Sequence, residues 1–236
     1  MNNQVVMLDP TKHADLKAKK ADFSFAADQH LIPLAIHEVG FAAIDAPVIF
    51  VKNAETGEFQ IVSMLGLKPG ENLMVKDGKW QGQYYPYVVR DYPFTPILHP
   101  EHQDKLWIGV REDASVLGTD EGVALFAEGK ETEFMTARKE EVLKHFEAAQ
   151  LTKELLKVLV EKELLVAQTL TVNVGEEQRN INGIYLIDEQ KLNGLSDEAF
   201  LELRKRGLLA PIYSHLTSLS QASRLAKLEL LKNKGE

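Results

Sequence analysis

Asn72 to Phe94 reads NLMVKDGKWQGQYYPYVVRDYPF, and how this stretch is parsed decides whether the first half of the chain is built from strands or from helices. Asn72–Lys76 alternates as a strand does, Asp77-Gly78 is a tight-turn dipeptide, and Trp80 follows directly. At Tyr84 the character changes. Pro86 suits the opening turn of a short helix, and Pro93 ends it by pushing the preceding residue out of helical geometry. The stretch therefore predicts a strand and turn leading into a proline-bounded aromatic knuckle. Four of the six tyrosines and one of the two tryptophans fall in it, which also makes it the first place to look for a ligand-binding surface.

Upstream, the apolar run at 48–51, the turn Glu55-Thr56-Gly57-Glu58 and the alternation at 59–65 predict a hairpin over residues 47–65. PheSerPheAla at 23–26 reads as a short strand, and the lysines Lys12, Lys17, Lys19 and Lys20 as a solvated arm. His37 to Ala46 fits either a helix or an irregular crossing. Downstream, residues 105–110 predict a strand, followed by an acidic, glycine-bearing linker from Arg111 to Gly122. From about Glu131 the apolar residues recur at three-and-four spacing, giving one long helix or two abutting ones. Residues 164–172 and 181–187 read as a second hairpin joined by the polar loop 173–180. Ser196 caps a helix that ends in Lys205, Arg206 and Gly207, and an amphipathic helical stretch follows Pro211. The predicted fold class is α+β: a mainly antiparallel, β-rich N-terminal half, and a more helical C-terminal half carrying an additional β-hairpin. A single domain over 1–236 is expected, with any subdivision near 111–130 into β-rich 1–120 and helix-rich 121–236.

Composition narrows the chemistry. At 236 residues and 44% hydrophobic content the chain buries a core without staples. Cysteine is absent, which removes disulfides, thiolate nucleophiles and cysteine metal sites. A net charge of -8 argues against broad contact with phosphate backbones, so no nucleic-acid partner is expected. No run approaches the roughly 18 apolar residues of a membrane helix, so no membrane insertion is expected. The first twenty residues lack the basic segment, apolar run and small-residue cleavage site of a secretory signal, and the expected compartment is the cytoplasm.

His13 and Asp15 have the His-x-Asp spacing of a facial triad, in which two imidazoles and a carboxylate bind iron and leave positions open. His99, His102 or His215 would have to supply the distal imidazole. His99-Pro-Glu-His102 on its own reads as a surface loop. His37-Glu38 begins like a zinc-protease helix but has Phe41 where the second histidine belongs. No Gly-x-Gly-x-x-Gly or Gly-x-Ser-x-Gly occurs, and Gly66–Gly70 lacks the Lys-Ser or Lys-Thr of a phosphate loop. No metal and no cofactor is assigned. Arg90 and Asp91 lie between Tyr87 and Tyr92, so a guanidinium there can stack on a ring or grip a carboxylate. The candidate ligand contacts are Trp80, Tyr87 and Arg90, weighed against a reading in which the rings only pack the knuckle and Arg90 pairs with a local carboxylate. Asp188 reads as a helix cap.

The order of motifs resembles the SapC-like family of bacterial proteins. The match runs through ProThrLysHis at 10–13, Glu38 with AlaProValIlePhe at 46–50, LeuGlyLeuLysProGlyGluAsnLeu at 65–73, and Asp77-Gly-Lys-Trp80 with TyrTyrProTyrValValArgAspTyrProPhe. It continues in GlyValAlaLeuPhe at 122–126, Gly183 to Leu192, and TyrSerHisLeuThrSerLeu near the C-terminus. Asp91 departs from it, standing where the family more often carries a second arginine. The family takes its name from a bacterial surface-layer locus, and the name also carries a peptide-transport association. The resemblance implies a non-enzymatic accessory or binding protein in surface-layer biogenesis or peptide handling, with a peptide or protein partner. Two alternatives stand beside it: a metal-dependent enzyme such as an oxygenase using His13, Asp15 and a distal histidine, and a homo-oligomer assembled through the C-terminal helices.

Overall fold

The computed structural model describes residues 5–98 and 106–234. They sort into two compact units, each assembled from separated segments: 1–23 with 87–147, and 24–86 with 148–236. The architecture is α+β, with antiparallel sheets in the N-terminal half and helices predominating in the C-terminal half. No helix among the described residues is long and apolar enough to cross a membrane.

In the first unit, Leu106–Arg111 is the middle strand of a three-stranded sheet, flanked by Val5–Met7 and Phe94–Leu98. Lys17–Ala18 forms a second small sheet, between Leu117–Gly118 and Val123–Ala124. The lysine-bearing leader is thus woven into the unit instead of lying free as an arm. The cause is alternation. Leu16 and Ala18 turn onto the core while the neighbouring lysines keep their ammonium groups outside along flexible stems. Residues 111–122 also lie within this unit, and Ala114, Val116 and Leu117 are buried there. The core gathers Phe94, Ile108, Val110, Leu125, Phe126, Met135 and Val142.

The helical periodicity after Glu131 resolves into one helix, Glu133–Glu161. No glycine or proline interrupts it, and Thr132 Oγ1 receives the Met135 N–H at its start. Its residues up to Glu147 belong to the first unit and those from Ala148 to the second.

The second unit contains a five-stranded antiparallel sheet in the order Leu165–Val174, Glu177–Ile187, Val48–Lys52, Phe59–Met64, Leu31–Pro33. Both expected hairpins are present, and the later one is longer than its hydrophobic pattern indicates. Most of the polar loop 173–180 is strand, closed by Gly175-Glu176. Thr171 donates to Asn180 and Thr169 to Asn182 across the ladder, so the polar residues stabilise strand pairing from the exposed face. Residues 23–26 form no strand. Ser24–Ala26 is a 3-10 turn, because buried Asn72 takes its backbone: the Asn72 amide group donates to the Ala26 carbonyl and the Asn72 N–H to that of Ala27. The Asn72 side-chain oxygen also accepts from Met74 N–H. That local bond shortens the expected strand at 72–76 to Val75–Lys76, which pairs with Lys79–Trp80 around Asp77-Gly78, both at positive φ. The segment 36–46 opens as a 3-10 turn, Ile36–Glu38, followed by the short helix Val39–Ala42. The core holds Val48, Phe50, Ile61, Leu159, Leu164, Leu203 and Ile212. Ser196 and Asp188 cap helices Asp197–Lys205 and Glu189–Asn193.

Candidate ligand-binding site

Pro86 and Pro93 bracket a five-residue helix, Tyr87–Asp91. At that length Tyr87, Arg90 and Asp91 stand at i, i+3 and i+4 and share one face, while Val89 is buried on another. On the helix Glu133–Glu161, residues Arg138, Glu141 and His145 form a second stripe at three-and-four spacing. Within the first unit the two stripes meet.

The centre is a buried pair. His145 donates from Nδ1 to both Asp91 oxygens, at 2.7 and 2.9 Å. Tyr87 lies parallel to the imidazole, with ring centroids 3.8 Å apart. Arg90 also stands over the Tyr87 ring, its Cζ 5.8 Å from the centroid. Glu141 is held by Arg138, and Arg90 reaches it only at 3.8 Å. The Arg90 side chain is 40% exposed and makes no other ion pair among the described residues, so its planar donor fork keeps open positions. Burial lifts the Asp91 carboxyl above its ordinary range, against the pull of His145 and Arg138. Because the carboxylate claims the Nδ1 proton, Nε2 is left as the second contact atom of the ring, and it takes no hydrogen bond among the described residues.

Of the three expected contacts, the structure brings Tyr87 and Arg90 together and places Trp80 in the second unit. Trp80 is 8% exposed, with its ring centroid 6.0 Å from that of Tyr85. The neighbouring turn is tight. A Cβ on Gly82 would lie 2.7 Å from the indole Nε1 and 2.8 Å from Asp45 Oδ2, so this position has no room for a side chain. Asp45 Oδ2 accepts the N–H groups of Gln83 and Tyr84, and its Oδ1 accepts from Arg224. The tryptophan and glycine of the motif thus build a turn around a buried carboxylate.

The histidines expected around a metal are otherwise engaged. Asp9 caps the turn at ProThrLysHis by accepting from Thr11 N–H and Lys12 N–H, and the turn delivers His13 to a buried position. There Nδ1 receives Asp9 N–H and Nε2 donates to Glu112 at 2.8 Å, while Asp15 is exposed. Lys12 and His13 beside Glu112 hold its carboxyl below the usual range. His215 is fully buried with both nitrogens spent on backbone: Nδ1 donates to the Val48 carbonyl at 2.6 Å and Nε2 accepts Ile187 N–H at 3.1 Å. His99 and His102 lie outside the described residues. Among the described residues, no three His, Asp or Glu side chains come together as a metal would need. Glu38 is a buried structural acceptor for Ala35 N–H and the Tyr84 hydroxyl.

His145 escaped the sequence reading. Its signal was its spacing from Arg138 and Glu141 on the polar stripe, but the partner that defines it, Asp91, lies 54 residues away.

Tyr87, Arg90, Asp91 and His145 thus form one aromatic and polar cluster on the α+β framework. The SapC family signature matches residues 8–225, and the chain belongs to that family. No curated protein and no solved structure matches it.

Proposed function

We propose that the chain is a cytoplasmic, non-enzymatic binding protein whose Tyr87–Arg90–His145 face receives a carboxylate of an acidic peptide or protein segment. One observation carries this reading: Arg90 is braced on Tyr87 yet stands 3.8 Å from Glu141, which Arg138 already holds. A guanidinium placed over a ring and left with open donors is pre-organised for a planar anion. His145 Nε2 adds a second polar contact. Of the two roles tied to the family name, peptide handling fits such a site more directly than surface-layer biogenesis.

Fluorescence anisotropy with a labelled peptide rich in Asp and Glu, compared with its Asn/Gln counterpart, tests the reading. The acidic peptide is expected to bind more tightly, and Arg90→Ala to lower its affinity by about tenfold or more. Arg90→Lys should fall between, because an ammonium lacks the planar fork. Equal affinity for the two peptides, or an indifferent Arg90→Ala, overturns it. Trp80→Ala tests the wider version in which the indole also touches ligand: a loss of affinity in the folded variant supports it, and a loss of stability alone confines Trp80 to packing.

A further inference from the structure

The strand Leu165–Val174 is the outermost of the five-stranded sheet, paired with Glu177–Ile187 on one side and with no strand on the other among the described residues. Native edge strands are usually blunted by lysines, proline, inward charges or bulges, because their unpaired N–H and C=O groups template further pairing. This strand reads LVAQTLTVNV, ten residues without a charge or a proline, in a chain whose net charge is -8. Its one irregularity lies between Gln168 and Leu170. Beyond that point Leu170 to Val174 pair regularly with Ile181 to Glu177.

The two-residue turn fixes which backbone groups look outward. Val174 and Glu177 flank Gly175-Glu176 and form the hydrogen-bonded pair next to the turn, so hydrogen-bonded pairs recur at Val172 and Leu170. The N–H and C=O of Thr171 and Asn173 therefore point away from the sheet, and no backbone or side-chain group among the described residues meets them. Val172 and Val174 are buried on one face, where helix Ala222–Lys234 packs, while Thr171 and Asn173 are exposed on the other. The outward groups are spaced for self-pairing. With Val172 opposite its own copy, Thr171 falls opposite Asn173 in both directions, apolar side chains meet apolar ones, and no like charges are brought together.

We propose that two copies of this chain pair antiparallel through Leu170–Val174 about a two-fold axis at Val172, joining their five-stranded sheets into one. The occupant of the edge is a second copy, because an uncharged strand is where a chain of this net charge can approach itself without repulsion. Light scattering on the full chain across micromolar concentrations is expected to give the mass of a dimer. Thr171→Lys with Asn173→Lys sets like charges opposite each other across the axis and should raise the dissociation constant by about thirtyfold or more. Thr171→Lys with Asn173→Glu sets opposite charges there and should restore dimerisation, with both variants keeping the wild-type circular dichroism. A monomeric wild type overturns the proposal, whether or not it takes up an added strand-forming peptide. So does a dimer indifferent to the two-lysine variant, or a charge-swapped variant as weak as the two-lysine one.

Discussion

His145 in the first unit and His215 in the second are both buried, and they are buried for different ends. His215 has spent both nitrogens on backbone, bridging the strand Val48–Lys52 to Ile187 from the helix Leu209–Ser218, with its ring edge-on to Phe50. His145 has spent one nitrogen on a carboxylate and kept the other, under an aromatic ring that also supports an arginine. Burial alone therefore does not describe what holds a histidine; the kind of partner does. Backbone groups cannot change their charge or move, whereas a carboxylate can.

The contrast breaks first on stability. His215→Ala removes two buried hydrogen bonds and a packed ring and should cost about 4 kcal/mol in a urea melt, with little left of the sheet's cooperativity. Acid comes next. Burial depresses the His215 pKa to about 4 from an ordinary 6.5. Between those values the unfolded chain binds the proton and the folded one does not, so stability should fall as pH drops through this window, by about 3 kcal/mol in all. Asp91 runs the other way: with its folded pKa raised, the folded state takes the proton first, and acidification just above its ordinary range favours folding. Hydrogen exchange at Ile187 and at Val142, buried mid-helix in the first unit, against pH reads the two units separately, and parallel responses would dissolve the distinction.

Asp91→Asn preserves an acceptor for Nδ1 and removes the charge. It should change stability by only about 1 kcal/mol while shifting the His145 ring resonances in NMR spectra at neutral pH. A cost as large as that of His215→Ala would make the first pair structural too. Smallest is Arg90→Ala, expected within about 0.5 kcal/mol of wild type in the same melts, since the side chain is exposed and loosely paired. An appreciable destabilisation would mean that the arginine holds the knuckle together.

What could be read from the sequence was local. The hairpin at 48–64, the caps at Asp188 and Ser196, the proline-bounded helix and the α+β class all follow from patterns a few residues wide. Long-range partners could not be read. Glu112 for His13, Asp91 for His145 and Val48 for His215 are joined only by the fold. Trp80, Tyr87 and Arg90 were grouped because they are neighbours in sequence, but the unit boundary at residue 86 passes between the first and the other two. The strand residues at 173–180 were hidden by poor β propensity, which cross-strand Thr–Asn pairs outweigh.

The division into interleaved segments also sets an order of events during synthesis. Val5 pairs with Arg111, and the helix that closes the first core runs on past residue 142. The strand Val5–Met7 must therefore wait for most of its unit's second segment, with the second unit's opening residues emerging in between. A nascent chain stalled before residue 106 has Val5–Met7 without its partner strand, and protease sensitivity there should disappear only once Glu133 onward has emerged.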